Sequence, residues 1–346
     1  MANRYWVGGA TNWDGTAGTK WATTSGGAGG ASVPTSSDDV FFDANSGTGN
    51  VSVSANVVCK NLDFTGYTGE FGAGGGGGDV DFYGNLTFGT GMTQSLGGVY
   101  KNQATSGTQN ITSNGKSIIG GLQIAGVGCN TVLLDDLSVT AGSFQVINGT
   151  FNANNFNVTC ESFNSSNSNT RTLTMGSGTW EITGISTVWD LTTITNLTLN
   201  ENTSTIKLTN TSSNAKTFIG GGETYYNFWN ATTNSGIVTI VGANTFNDFK
   251  INAGRTQFFT AGTTTTVTSL TAIGAIGNLI TITSATSATH TISKASGTGN
   301  VQYCEISYST ATGGATFNAI NSTDSGNNTG WNFLATVNNS AFLSLL

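Results

Sequence analysis

Asn61-Leu62-Asp63-Phe64-Thr65-Gly66 and Asn85-Leu86-Thr87-Phe88-Gly89 are two copies of one short sentence. Each begins with Asn, alternates apolar and polar residues, and closes on a small turn residue. The pattern returns as Gly121-Leu122-Gln123-Ile124-Ala125-Gly126, Asp136-Leu137-Ser138-Val139-Thr140 and Asn155-Phe156-Asn157-Val158-Thr159. Asn196-Leu197-Thr198-Leu199-Asn200 and Asp248-Phe249-Lys250-Ile251-Asn252 extend it. Period-two alternation is what a strand with one buried face requires. Trp180/Ile182, Ile206/Leu208, Val238/Ile240 and Ile280/Ile282 add further strands of the same kind. The spacing is irregular, commonly about 20 to 25 residues, which is the range of a repeat that stacks on itself. No stretch carries a capped 3.6-residue apolar period, so almost no helix is expected.

Hairpins in a sandwich would also give short strands between turns. One strand motif recurring through the whole length favours instead a single-stranded, right-handed parallel β-helix (β-solenoid). Its coils would stack about 4.8 Å apart, and about a dozen would give a rod on the order of 60 Å long. A solenoid leaves unpaired strands at both ends, so caps are expected. Residues 1–50 differ in texture from the rest: they hold Trp6, Trp13 and Trp21, the single Pro34 and the run Gly26-Gly27-Ala28-Gly29-Gly30. They are assigned as an N-terminal capping or docking segment, residues 51–333 as the solenoid, and 334–346 as a C-terminal apolar tail. Trp331 and Phe333 form an aromatic plug at the far end. The run from Ala73 to Gly78 is expected to be a flexible loop, since no GK[ST] or helix follows to make a phosphate site.

Composition agrees with all-β structure. Charged residues are 8% of the 346, against roughly 25% in an average domain. Apolar residues reach 37% and aromatic ones 10%, enough for a packed core. With 49 glycines and abundant Asn, tight turns are well supplied. A net charge of -7 with scattered Lys and Arg argues against a nucleic-acid partner, which would need clustered positive charge. No apolar run approaches the roughly 20 residues of a membrane span. The start, Met1 to Val7, lacks the apolar stretch of a secretory signal, so synthesis in a cytoplasm is expected, with exit by lysis or as part of a particle. Cys59, Cys129, Cys160 and Cys304 form no CxxC or Cys/His cluster. They read as four buried small hydrophobes, with two disulfides as the alternative.

Few residues suggest chemistry. Asp79 and Asp81 flank inward-type Val80 and Phe82, so both should lie on one outer face at about 7 Å, a spacing a glycosidase could use. Asp135-Asp136 reads as a turn. Asp38-Asp39 reads as a turn leading into the strand at Val40 rather than a calcium loop. His290, in Ala288-Thr289-His290-Thr291-Ile292, is expected to point outward. Neither a catalytic centre, a metal site nor a cofactor is assigned. Tyr225-Tyr226-Asn227-Phe228-Trp229 holds more aromatic surface than one inward face should absorb. Strict alternation would put Tyr226 and Phe228 on one face, with Tyr225, Asn227 and Trp229 on the other. Tyr225, Tyr226 and Trp229 are therefore candidates for a glycan platform or a subunit contact.

Arg4-Tyr5-Trp6-Val7-Gly8-Gly9, Asn12-Trp13-Asp14 and the run from Trp21 through Ser32-Val33-Pro34-Thr35-Ser36-Ser37-Asp38-Asp39-Val40-Phe41-Phe42-Asp43 resemble a recurrent opening of bacteriophage proteins predicted to be β-helical. Cys304-Glu305-Ile306-Ser307-Tyr308-Ser309 and Asn327-Asn328-Thr329-Gly330-Trp331-Asn332-Phe333 resemble their usual close. The resemblance supplies no activity and no catalytic residues. It implies a virion structural protein, made in the host cytoplasm and exposed on the particle like a tail fibre or tail spike. Other virion proteins, a homotrimer and a host-surface glycan are its expected partners. A capsid decoration or head-fibre protein, a non-catalytic adhesin and a polysaccharide depolymerase are the alternatives.

Overall fold

The computed structural model describes residues 2–335 except 14, 17, 73, 75, 76 and 235. The expected apolar tail, apart from Leu334 and Ala335, and half of the 73–78 run lie outside the described residues. No α-helix occurs among those described, and the strands pair in parallel almost throughout. The chain is a parallel β-solenoid, divided into two compact units: Met1–Gly184 with Asp190–Thr205, and Ile185–Trp189 with Ile206–Leu346.

In the first unit one sheet runs through Val57–Cys59, Val80–Phe82, Val99–Asn102, Gly121–Ile124 and Leu137–Val146. Val57 lies beside Val80, Val80 beside Tyr100, Tyr100 beside Leu122, and Leu122 beside Phe144. Each step is one coil, within the 20–25 residue spacing visible in the sequence. A second sheet stacks Leu62–Asp63, Leu86–Thr87, Thr108–Thr112, Asn130–Leu133, Gly149–Asn152 and Arg171–Thr174 in the same way. The first strand, Asn3–Trp6, joins this sheet in parallel with Asp39–Phe41 and is covered on its other side by the antiparallel Trp21–Ala22. The second unit stacks Lys216–Ile219, Val238–Val241, Thr256–Phe259, Ile280–Ser284 and Cys304–Ile306. Thr224–Asn230, Thr245–Ile251 and Thr264–Ile273 form a second stack of parallel strands.

Stacking repeats each coil's inward residues as ladders. Phe42, Phe64 and Phe88 stack face to face at 5.0 and 5.9 Å between ring centroids. Phe228 and Phe249 do so at 4.9 Å in the second unit. Offset and edge contacts of this kind contribute about 0.5–1.5 kcal/mol per pair beyond the area they bury.

The Asn or Asp that precedes so many strands has a structural reason. Its side chain reaches the backbone N–H of the next coil. Asn61 Oδ1 accepts from Asn85 N at 2.6 Å, and Asn85 Oδ1 accepts from Asn110 N at 2.8 Å. Asp136 Oδ1 accepts from Asn157 N, and Asn157 Oδ1 from Thr179 N. Turn N–H groups with no sheet partner are thereby satisfied, which leaving them buried and unpaired would not do. Where two turns touch, only glycine fits: a Cβ on Gly142 would overlap the carbonyl oxygen of Gly120 on the preceding coil.

The turn readings hold. Asp135 and Asp136 lie between strands, with Asp135 accepting from Ser113 N and Asn114 N. Residues 36–38 turn into the strand Asp39–Phe41. All four cysteines are buried and free. One repeat differs: the strand after Asn155 begins only at Val158, and Phe156 is half-buried in the turn because Asn154 and Asn155 take positive φ.

Candidate functional site

Asp79 precedes its strand and continues the ladder of stacking side chains. Its backbone N–H donates to Asn56 Oδ1, its Oδ1 accepts from Val99 N at 2.8 Å, and its Oδ2 meets Lys101 Nζ at 2.6 Å. Asp81, one coil below Lys101 in register, does lie on the outer face between buried Val80 and Phe82. The two carboxyls are pushed in opposite directions. Burial would raise Asp79, but the Lys101 and Val99 hydrogen bonds and the Lys101 charge overcome it and hold it below the usual range. Burial raises Asp81 against the pull of Lys101, with the Asp79 charge adding to the rise. Its Oδ1 is enclosed without a hydrogen-bond partner. Opposed shifts in neighbouring carboxyls are a feature of acid–base pairs. Here, however, both oxygens of Asp79 are committed to holding coils together, which is structural work.

The outer column continues with Gln123, Gln145 and Asn164, in register above Lys101. Gln123 Nε2 donates to Gln145 Oε1 at 3.2 Å, and Asn164 Nδ2 to Asp190 Oδ2 at 3.1 Å. Among the described residues no group of three or more His, Cys, Asp or Glu side chains is placed to hold a metal ion.

The three N-terminal tryptophans are brought together and buried. Trp21 meets Trp6 edge-on at 5.1 Å and Trp13 at 5.2 Å, and Phe42 and Phe71 complete the cluster. Trp331 packs edge-on against Phe317 and donates from Nε1 to Ser309 Oγ. Phe333 is half-buried.

Tyr225 is not at the surface. Alternation breaks after it: Tyr225 pairs with Phe246, but the next register pair is Asn227 with Asp248. The skipped residue turns a corner, so Tyr225 and Phe228 both point inward, and the Tyr225 hydroxyl donates to the Gly220 carbonyl. A core wide enough for two aromatics per strand absorbs what strict alternation would expose. Tyr226, Asn227 and Trp229 stay outside. Trp229 carries the ammonium groups of Lys250 and Lys207 at 4.0 and 4.8 Å from its ring, and donates to Asn252 Oδ1.

His290 is likewise inward, fully buried, with neither ring nitrogen hydrogen-bonded. It stacks on Phe259 at 4.7 Å, taking a place in an aromatic ladder. Burial lowers its pKa to about 4, although the nearby Tyr308 backbone on the next coil works the other way. The expectation of an outward His weighted polarity over phase: Ile292, two residues on, faces the core, and His290 shares its side.

The sequence reading also passed over Arg171. Its side chain is 1% exposed, and its guanidinium donates to the carbonyls of Ser165, Asn169, Thr193 and Thr195 and to Ser165 Oγ. Lys216 closes a turn in the second unit through the carbonyls of Ser212 and Asn214. Two cations are thus spent on turn carbonyls. Comparison with protein-family models, with curated proteins and with solved structures found no match.

Proposed function

We propose that the chain is a structural protein of a bacteriophage particle, a tail-fibre-like or tail-spike-like solenoid exposed on the virion and in contact with the host surface, assembled as a homotrimer. The observation that carries the reading is how the polar residues are used. Asn, Asp, Arg and Lys side chains of the kind that build reactive sites instead bond one coil to the next, as Asp79, Asn61, Asn157 and Arg171 do. Such a ladder stiffens a surface that carries little charge and resists proteolysis, because cleavage needs local opening. The likeness of both ends to phage proteins supplies the setting, and the buried Trp6, Trp13 and Trp21 suit a segment that closes the first coil. Electron microscopy of particles labelled at residue 1 tests the proposal. Labels on the tail support it, labels on the capsid favour a decoration or head-fibre protein, and particles without label refute a virion role. Release of reducing or unsaturated ends from host polysaccharide, abolished in Asp79→Ala or Asp81→Ala, would replace it with a depolymerase.

A further inference from the structure

The second sheet of the first unit has an outer column in which Thr108, Asn130, Thr150, Thr172 and Thr198 lie in register on successive coils. Neighbouring members stand one strand spacing apart, about 4.8 Å, comparable with the length of a pyranose ring. Beside the column, turns of three successive coils leave an open cleft of about 660 Å³, lined by Asn130, Thr150, Thr172, Ser168 and Asn169 with Val127 at its rim.

The chemistry of this cleft is specific. Its polar groups are uncharged hydroxyls and amides. Asn130 donates to Thr108 Oγ1 at 3.1 Å, which leaves Oδ1 to accept. Among the described residues, Thr150 and Thr172 make no side-chain hydrogen bond to the protein, so their hydroxyls are free to donate or accept. The one cation in the lining, Arg171, is buried with its donors committed to carbonyls and Ser165 Oγ, so it offers an anion nothing. Val127 is 70% exposed, an apolar patch beside a polar floor. A peptide would need anchor pockets for side chains, and a nucleotide or acidic sugar would need an uncommitted cation. A neutral sugar matches: it presents hydroxyls around its edge and C–H groups on its faces.

We propose that this cleft binds an uncharged oligosaccharide, laid along the column formed by Asn130, Thr150 and Thr172, with Val127 against a C–H face. The assignment rests on the reading of a host-contacting surface protein and places its glycan site away from Trp229, whose ring is already occupied by two ammonium groups.

Saturation-transfer NMR and calorimetry on the full chain test it. The probes are trisaccharides of glucose, mannose, galactose and N-acetylglucosamine, with polysialic acid as the anionic comparison. Saturable binding of at least one neutral trisaccharide is expected, weakened tenfold or more by Thr150→Trp, which fills the cleft, and unchanged by Trp229→Ala. Should Thr150→Trp fail to fold, Ser168→Trp on the exposed turn takes its place. No neutral binding, binding indifferent to the filling variant, or preference for polysialic acid would each overturn the proposal. Particle labelling is unaffected by any of these results, so loss of the cleft site and loss of the virion role are told apart.

Discussion

Replacing His290 with Phe should remove most of the protein's sensitivity to mild acid. His290 is the single histidine of the chain, so no other side chain with an ordinary pKa between 5 and 7 competes with it. In the folded state its ring is buried, unpartnered and stacked on Phe259, and its pKa is lowered from 6.5 to about 4. Above pH 6.5 both states leave it neutral and it adds no pH dependence. As the pH falls below 6.5, the unfolded chain takes up a proton that the folded chain refuses, and stability drops by about 1.4 kcal/mol per pH unit until about pH 4. Between pH 7.5 and 5 the loss is about 2 kcal/mol, and at full extent about 3 kcal/mol. At pH 7.5 itself the substitution should be near neutral: removing two unpaired nitrogens gains about 1–3 kcal/mol, and fitting a larger ring costs a similar amount. Urea unfolding at pH 7.5, 6 and 5, followed by intrinsic fluorescence, separates the two contributions. Wild type should lose stability over this range while His290→Phe stays nearly level. Parallel slopes for the two proteins would refute the argument, since they would mean that His290 is protonated, hydrated or exposed when folded.

Arg171→Leu should cost about 1–3 kcal/mol, because it leaves the buried Ser165 carbonyl without its donor and frees three partly buried ones at the turns, with Arg171→Lys recovering part of the loss; thermal unfolding reads both. Asp81→Asn should stabilise the protein at pH 7, where a carboxyl with a raised folded pKa must be ionised at a penalty, and the gain should disappear as the pH falls below the unfolded value near 4. Cys59, Cys129, Cys160 and Cys304 are buried thiols whose pKa values burial pushes up, Cys304 to about 12. A thiol-specific chromogenic reagent should label none in native buffer and all four in denaturant, and rapid native labelling would count against their burial.

Alternation carried the fold because it has a phase. Once Leu62, Phe64, Leu86 and Phe88 are placed inward, every second residue is assigned, and the recurrence of such segments through the chain favours coil upon coil. The same phase was sufficient to turn His290 inward beside Ile292. It failed at Tyr225, where a corner inserts one residue and resets the face, and nothing in Tyr-Tyr-Asn-Phe-Trp marks which residue is the extra one. The Asn and Asp before the strands were visible as a habit of the sequence, but their task was not.

Sequence alone determined most of the apolar residues that enter the core and that the strands recur as equivalents, since burying one face of a strand imposes a two-residue rhythm on the chain itself. Tertiary structure decided what the outward and turn residues do and how one inward cation is satisfied. Arg171 bonds a carbonyl 24 residues away at Thr195, and Asn130, Thr150 and Thr172 become one surface only when three coils are laid in register. Outward positions accept any polar residue without disturbing that rhythm, so their partners on the next coil leave no periodic trace until stacking brings them within hydrogen-bond reach.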